Sequence, residues 1–430
     1  MKLRKKIQFI AAAIGCIACC GAAAGSGIPN FILATALTSD EITAAQKQLA
    51  IKGDAIKTVR SEYLPTLDAD ISGSWVREGK KTSALVERFA DVTNPHTFTF
   101  TVEQNIWNGG QTSISENIAK LDYKSEKFKF LEVIQQKLLE LVQLNSEILK
   151  FQKALDLKEK NKKVLEYHLK SSKIRFQMGE ISETDVFKSE ARLASIISEK
   201  IKADYDLKSA ILKYQAEHKT EIIKNIIIEP LEVKVLPINE VIGNNYSLKA
   251  AFYSQKSLQL QYARQKRTNF PSLDMTSSVA HSRQTLNRDN VSTKLTAQLS
   301  LTVPLYDGGK NQSQVSASLY AMKKSQDEYN AAVKNININY NSQYGEYQSA
   351  LQKIKALNIE INAASKALEA TKKEVDVGTK AIVDLLDAEK ELLDAKLNLL
   401  NEEERLIILT YEMKILSGQL ISSDIVERFF

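Results

Sequence analysis

Two aspartates three positions apart, Asp384 and Asp387, have the spacing in this sequence that most suggests chemistry. A spacing of three places both carboxylates on one helix face, about a turn apart. Carboxylates that line a constriction favour cations and repel anions. The same pattern also suits an ordinary solvated helix N-terminus, where the helix macrodipole favours acidic side chains. The two residues alone leave both interpretations open.

Other candidate sites are weaker. Asp68 and Asp70 alternate along a predicted strand and could pass for an acid pair, but a polar strand face explains them. The Gly-Gly pairs at 109–110 and 308–309 lack a phosphate-loop context and are expected at strand-to-helix turns. No acid, base and nucleophile converge, so we predict no enzyme and no cofactor. The four histidines lack metal-ligand spacing and are expected in loops or on the surface: His96, His168, His218 and His281.

The composition limits the class of protein. The chain has 430 residues, of which 43% are apolar and 26% are charged, and this balance excludes wholesale disorder. None of its 7 prolines lies in 96–229 or 305–430, which favours long uninterrupted helices. All 3 cysteines precede residue 21, so no disulfide framework or cysteine-based zinc site is predicted downstream.

The N-terminus predicts an export signal. Basic residues at 2–6 precede an apolar run over 7–24, and small residues at 34–36 offer a cleavage site. We therefore predict a signal peptide over 1–36, while a retained membrane anchor and a lipoprotein signal at Cys16 remain alternatives. Cleavage would remove basic residues only and leave the chain close to neutral, so nothing indicates a nucleic-acid partner.

The rest of the sequence contains a long internal repeat. A period of about 200 residues exceeds a solenoid unit and indicates duplication of a whole structural half. Two motifs recur at an offset of 199 residues: 107–110 with 306–309, and 176–179 with 375–378. A third recurs at an offset of 206 residues: 64–68 with 270–274.

Each half contains two stretches in which apolar and polar residues alternate, as expected for strands with one buried face. They lie near 67–75, 97–103, 273–279 and 295–303. We predict strands of about 9–11 residues each, the length that a tilted membrane-spanning strand needs. Two hairpins of a soluble sheet would show the same periodicity, so the pattern leaves both possibilities open.

Helices are predicted around the strands. The two longest would each extend about 100 Å. Gly179 and Gly378 lie where these helices should stop, because glycine readily adopts the left-handed conformation at a helix end. The sequence therefore predicts two antiparallel helical hairpins with glycine tips. The predicted helices are 41–62, 111–178 and 184–217 in the first half, and 247–267, 310–377 and 381–417 in the second.

Four strands cannot close a membrane-spanning barrel alone. An open sheet edge is excluded in lipid, and bacterial barrels begin at about eight strands. If the strands span a membrane, the chain must therefore associate with copies of itself. Two copies would give about eight strands and a nearly filled interior, whereas three would give about twelve and a lumen. A trimer fits the rows of Thr, Ser, Gln and Asp on one strand face.

At this point the chain resembles the TolC-type outer-membrane efflux proteins. The resemblance rests on the duplicated halves, on the motif from Phe176 to Val186, and on the run from Gly378 to Ala388. It covers essentially all of the chain after residue 36. It implies an α+β fold in which a trimeric 12-stranded transmembrane β-barrel, with four strands per protomer, continues into a long periplasmic α-helical barrel.

The resemblance also implies roles for residues near the glycine tips. Gly179 and Gly378 would mark the periplasmic end, where an adaptor docks and the channel closes. Asp384 and Asp387 match the two aspartates that form carboxylate rings at the periplasmic aperture. With this resemblance, the ring interpretation is preferred over an ordinary helix start.

A gate contact is implied as well. Lys380 lies where relatives carry a basic residue, often arginine, that bonds to the neighbouring hairpin, and Thr184 and Asp185 match its partners. Val375 stands in place of a tyrosine, so one hydrogen bond of the best-known relative cannot form. Lysine also lacks the bidentate geometry of arginine. The closed state is therefore expected to be held less firmly, or differently.

The predicted function is a passive outer-membrane exit duct of a tripartite efflux pump or type I secretion system. The implied partners are two further copies, outer-membrane lipid, a periplasmic membrane-fusion adaptor and an inner-membrane transporter of the efflux-pump or ABC type. A periplasmic coiled-coil scaffold without a channel is the alternative. The predicted division is a signal peptide (1–36), a first repeat (37–217), a connector (218–246), a second repeat (247–417) and a tail (418–430).

Overall fold

The structure is a computed structural model that describes residue 36 and residues 39–78, 91–218, 228–284 and 291–421. The predicted signal peptide, apart from its last residue, and most of the predicted tail lie outside these ranges. In chain order the elements are α1 (Asp40–Ser61), β1 (Thr66–Gly73), β2 (Val76–Glu78), β3 (Asp91–Thr93), β4 (Pro95–Trp107), α2 (Gln111–Gln177), α3 (Glu183–His218), α4 (Ile238–Asn244), α5 (Tyr246–Gln265), β5 (Ser272–Gln284), β6 (Val291–Thr302), α6 (Lys310–Asp376) and α7 (Ile382–Leu416).

The predicted helices and main strands are present, with ends shifted by a few residues. The two long helices, α2 and α6, are each 67 residues long. The Gly-Gly pairs lie at the turns that lead from β4 into α2 and from the end of β6 into α6. Sequence reasoning missed the short β2–β3 pair, and it missed α4 within the segment predicted as a connector.

The chain divides into two compact units, and each unit takes segments from both sequence halves. Unit 1 comprises the described residues of Met1–Gln46, Lys129–Lys249 and Ala332–Phe430. Unit 2 comprises those of Lys47–Phe128 and Ala250–Ala331. The repeat boundaries predicted from the sequence remain a prediction about the sequence, because the units do not follow them.

Unit 2 contains a four-stranded antiparallel sheet in the order β1-β4-β5-β6. Its register aligns apolar residues across all strands, as in the row formed by Ala69, Phe100, Val279 and Leu295. Because successive side chains alternate between faces, the next row is polar. That row is Asp68, Thr101, Ser278 and Thr296.

The two faces of this sheet therefore differ sharply in polarity. We call them the apolar face and the polar face. The apolar face carries Leu67, Ala69, Ile71, Phe98, Phe100, Val102, Leu273, Met275, Val279, Leu295, Ala297, Leu299 and Leu301. The polar face carries Asp68, Asp70, Thr97, Thr99, Thr101, Thr276, Ser278, Thr296, Gln298 and Ser300.

The apolar face is exposed in the single chain. Its side chains are accessible to 83% at Ile71, 75% at Leu295 and 65% at Leu299. Contiguous apolar surface of this extent marks contact with lipid or with another protein. The outer strands of the sheet, β1 and β6, also leave one backbone edge each for a further strand.

Unit 1 is held by the packing of its helices. Leu165 of α2, Ile196 of α3, and Leu386 and Leu393 of α7 form one buried cluster. No helix in the described ranges combines the length and the apolarity needed to cross a membrane.

The unpredicted helix α4 has a clear anchor in unit 1. The side chain of Val241 is fully buried against Tyr340 and Met413. The backbone N–H of Leu236, just before α4, donates a hydrogen bond to the Tyr340 hydroxyl at 3.0 Å. Tertiary contacts to α6 and α7 therefore stabilise this short helix, which is below the length at which helices are stable alone.

A second tyrosine of unit 1 is buried without such a partner. The Tyr411 side chain is fully buried, and its hydroxyl has no hydrogen-bond partner among the described residues. Burial disfavours the charged phenolate and raises the pKa of Tyr411 to about 12. Burial also raises the pKa values of Tyr214 and Tyr246 above 10.0.

We predict opposite effects for two Tyr→Phe substitutions. Tyr411→Phe removes an unsatisfied buried hydroxyl and should leave stability unchanged or raise it by up to about 1 kcal/mol. Tyr340→Phe leaves the Leu236 N–H without its acceptor and should cost about 1 kcal/mol. Thermal unfolding followed by far-UV circular dichroism measures both. An equal loss in the two variants would contradict this assignment.

The Tyr411→Phe variant also tests how the stability of the protein depends on alkaline pH. Unfolded tyrosine loses its proton near pH 10, before the folded Tyr411 does, so the unfolded state binds fewer protons above that pH. Stability of the wild type should therefore fall as the pH rises from about 10 to about 12. Tyr411→Phe should show a shallower fall, with a residual slope from Tyr214 and Tyr246.

Candidate functional site

The tip between α2 and α3 is closed by a glycine and a capping box. Gly179 has a φ of 76°, and its N–H donates to the Phe176 carbonyl at 2.9 Å. The next residue, Glu180, donates its N–H to the Arg175 carbonyl at 3.0 Å, which completes a Schellman motif. Glycine is required because other residues rarely adopt this left-handed conformation.

Asp185 caps the start of α3. Its backbone N–H donates to the Ser182 hydroxyl at 3.3 Å, and its carboxylate accepts the Ser182 N–H at 3.2 Å. The Ser182 hydroxyl also donates to this carboxylate at 2.7 Å. This reciprocal arrangement is a capping box that fixes the first turn. Thr184 lies exposed in the same turn.

The tip between α6 and α7 repeats the same geometry. Gly378 has a φ of 78°, and its N–H donates to the Val375 carbonyl at 3.2 Å. The Thr379 N–H donates to the Glu374 carbonyl at 2.8 Å. The Asp384 carboxylate accepts the Ala381 N–H at 3.2 Å, so it caps the start of α7.

Lys380 forms an ion pair within its own tip. Its Nζ lies 2.7 Å from Oε2 of Glu374, and this carboxylate raises the pKa of Lys380. Among the described residues of the single chain, the Lys380 ammonium is therefore paired with Glu374, and the Asp185 carboxylate with Ser182. A contact from Lys380 to Thr184 or Asp185 of the neighbouring hairpin stays a prediction.

The second predicted aperture aspartate has a partner that sequence reasoning missed. Nη2 of Arg192, on α3, donates to Oδ1 of Asp387, on α7. The Arg192 side chain is 37% exposed and that of Asp387 is 55% exposed, so solvent screens the pair. The two aspartates thus differ, because Asp384 caps a helix while Asp387 is matched by a guanidinium.

A buried pair also links the two hairpins. Nε2 of His168, on α2, lies 2.8 Å from Oε1 of Glu389, on α7, and both side chains are buried. The expectation that His168 is a loop or surface residue is therefore wrong. The helical spacing does indicate that both side chains face the core, since His168 follows the buried Leu165 by three residues and Glu389 follows the buried Leu386 by three.

A third link between the hairpins uses a backbone acceptor. Both terminal nitrogens of Arg175, on α2, donate to the Val375 carbonyl of α6 at 3.4 Å. The Val375 side chain is buried, so this position holds the tips together through packing and its carbonyl. We call the three links Arg175–Val375, His168–Glu389 and Arg192–Asp387 the hairpin ties.

The described residues contain no group of three or more His, Cys, Asp or Glu side chains that could hold a metal ion. Asp185 and Asp384 cap helix starts in this chain, whereas Lys380 and Asp387 form ion pairs. Their arrangement can fix the two hairpins against each other and can place charge at the tips.

We predict that Glu389→Ala destabilises the hairpins by about 1–3 kcal/mol, because it leaves the buried His168 without its partner. Glu190 is the matched control, since it lies 199 residues before Glu389 and pairs with Lys173 at 3.7 Å on the surface. Glu190→Ala should cost less than about 1 kcal/mol. Hydrogen exchange of the backbone amides around His168 measures both, and equal protection in the two variants would refute the role of the buried pair.

Comparison with known proteins gives consistent matches. Residues 34–213 and 238–409 match the family described as "Outer membrane efflux protein". Outer membrane protein TolC of Vibrio cholerae is 23% identical over 298 residues, which cover 65% of this chain and 67% of that protein. Outer membrane efflux protein BepC of Brucella suis is 19% identical over 407 residues, which cover 89% of this chain and 83% of that protein. Proteases secretion protein PrtF of Dickeya chrysanthemi is 22% identical over 314 residues, which cover 70% of this chain and 68% of that protein.

Solved structures share the fold of the chain. The CusC structure aligns with a TM-score of 0.82 at 13% identity, over 90% of this chain and 91% of that chain. The outer membrane channel CmeC of Campylobacter jejuni also aligns with a TM-score of 0.82 at 13% identity, over 93% of this chain and 89% of that chain. These likenesses confirm the predicted α+β fold of the single chain.

Proposed function

Because the chain belongs to the outer membrane efflux protein family, we propose that it acts as a passive trimeric exit duct, gated at its helical hairpin tips. The duct would serve a tripartite efflux pump or a type I secretion system. The observation that carries the proposal is the segregation of the sheet into an exposed apolar face and a polar face. This protein is an outer-membrane protein by its family.

The edges of the sheet support association of several copies. Its outer strands, β1 and β6, each leave a backbone edge that lipid cannot satisfy. Joining β6 of one copy to β1 of the next would satisfy both edges, and three copies would give about twelve strands around a lumen. The apolar face would then meet lipid, and the polar face would line the bore.

The hairpin ties support a gate at the tips. They connect α2 with α6 and α7, and α3 with α7, so the two hairpins of one protomer cannot separate without breaking them. Arg192–Asp387 is the most exposed tie and contributes about 0–1 kcal/mol. His168–Glu389 is buried and costs more to break. Opening would therefore begin at Arg192–Asp387.

The turns themselves support a protein partner. Met178 and Val377, which precede the two tip glycines, are exposed, and so is Phe187 on the first turns of α3. Exposed apolar side chains at rigid turns suit docking of a periplasmic membrane-fusion adaptor. The adaptor would connect the duct to an inner-membrane transporter of the efflux-pump or ABC type, which supplies the energy.

We predict that the purified full chain sediments as a trimer in detergent and conducts ions in a planar bilayer. Leu299→Arg places a charge on the apolar face and should cost about 2–4 kcal/mol at the bilayer midplane. The variant should therefore be depleted from outer-membrane fractions.

The neighbouring Gln298→Arg is the matched control, because its side chain lies on the polar face. It should insert and conduct like the wild type, with altered ion selectivity. A soluble, non-conducting monomer would instead support the scaffold function. Equal insertion of both variants would contradict a lipid-facing apolar face.

We also predict that charge at the tips controls ion selectivity. Replacing Asp384 and Asp387 together with Ala should lower the cation-to-anion permeability ratio, because carboxylates at a constriction favour cations. Arg192→Gln should raise that ratio, since it leaves the Asp387 carboxylate uncompensated. Single-channel reversal potentials in a salt gradient measure both.

Asp156→Ala provides the control for this experiment. Asp156 is an exposed carboxylate on α2 that pairs with Lys160, and it lies more than five helical turns before the tip. Its removal should leave the permeability ratio unchanged. An unchanged ratio in the double aspartate variant would reject the carboxylate rings.

A further inference from the structure

At one end, the apolar face carries polar and basic side chains. His96 and Arg283 are register partners on β4 and β5, and His281 and Thr293 are register partners on β5 and β6. All four side chains are exposed, at the end of the sheet near the connection from β5 to β6. We call these four residues the rim cluster.

The rim cluster lies just beyond the end of the apolar residues of β6. Leu295 to Leu301 share one side of β6, and six residues at about 3.3 Å each span about 20 Å. A strand tilt of about 40° reduces this to about 15 Å, which fits within the apolar band of about 25 Å in outer-membrane barrels. Thr293 is the next residue on this side, about 7 Å further along the strand.

The local geometry fixes the two imidazoles. A Cβ at Gly73 would lie 3.0 Å from Nδ1 of His96, so the His96 ring lies against the bare backbone of β1. Nδ1 of His281 lies 3.0 Å from Oγ1 of Thr293. Because this contact uses Nδ1, Nε2 is the nitrogen that His281 can offer to an external ligand. The Arg283 guanidinium adds a planar fork of donors that matches phosphate oxygens.

The distribution of charge makes the rim cluster attractive to anions. In the four-stranded sheet, the acidic side chains that the structure describes are Asp68, Asp70, Glu103 and Asp274, and the register places all of them on the polar face. The described side chains of the apolar face therefore include Arg283 and no carboxylate. A cation beside an apolar band complements an anionic lipid headgroup.

We propose that the rim cluster binds the phosphate of a lipid headgroup in the outer leaflet of the membrane. Arg283 would bind the phosphate oxygens as a bidentate donor, and His281 on the same strand and His96 on the adjacent strand would donate as well. The acyl chains would lie along Phe98, Val279 and the leucines of β6. This inference rests on the proposed function only in that the apolar face meets lipid.

The test uses the purified full chain in detergent, titrated with fluorescent lipid A that carries its phosphates and with the same lipid after dephosphorylation. The wild type should bind the phosphorylated form at least about tenfold more tightly. The triple variant His96→Gln, His281→Gln, Arg283→Gln should lose at least about tenfold in affinity for that form. Arg283→Lys keeps the charge without the fork and should lose less than the triple variant.

Lys294→Gln is the matched control. The Lys294 residue lies next to Thr293 on β6, at the same height but on the polar face, since it pairs with Ala280. Its loss should leave lipid affinity unchanged. An equal loss in Lys294→Gln and in the triple variant would show diffuse charge attraction and overturn the site. Equal affinity of the wild type for both lipid forms would overturn it as well.

Two further measurements separate the remaining explanations. Inorganic phosphate that displaces the lipid completely would show a free-anion site and contradict a headgroup site. Planar-bilayer conductance reports on the duct: a conducting wild type without phosphate preference refutes only the rim cluster, whereas a non-conducting monomer refutes the proposed function. If the triple variant fails to conduct, Arg283→Lys and the single variant His281→Gln replace it, and wild-type affinity in both would refute the site.

Discussion

The register of the four-stranded sheet is the constraint on which the rest of the structure depends. A slip of one residue between β4 and β5 would bring the threonines of β4 into the apolar face and its phenylalanines into the polar face. Such a sheet would have no lipid-compatible side and no aqueous side. The register is therefore what segregates apolar and polar side chains onto opposite faces of the sheet.

The helical tips depend on a different balance, between local and tertiary interactions. Gly179 and Gly378 close both turns through the same pair of backbone hydrogen bonds, which makes each turn rigid on its own. The hairpin ties then join one rigid hairpin to the other through side chains. The ties differ in burial, and a more exposed tie contributes less to stability. The most exposed tie is Arg192–Asp387, which contains one of the two tip aspartates.

Features with a local cause could be predicted from the sequence. The period of two in 295–303 and the glycine stops at Gly179 and Gly378 gave the strand and the hairpins, because alternation and left-handed glycine are properties of neighbouring residues. The positions of Asp384 and Asp387 near a helix start were also predicted.

Features that depend on tertiary partners could not be predicted in this way. The pairing of Arg192 with Asp387 joins residues 195 positions apart. Helix α4 is short and is stabilised by Tyr340 and Met413, which lie far along the chain. His168 was misplaced because a single polar residue in a helix gives no sign of a buried partner, although its spacing from Leu165 did indicate the core.

The interleaving of the two units has a consequence for biogenesis. The central strand pairing joins β4 from the first half to β5 from the second, so β4 has only β1 to pair with until about two-thirds of the polypeptide has been delivered. Contacts between distant segments form slowly. Completion of the four-stranded sheet therefore has to wait for most of the chain, and the phenylalanines of β4 are prone to aggregation in the meantime.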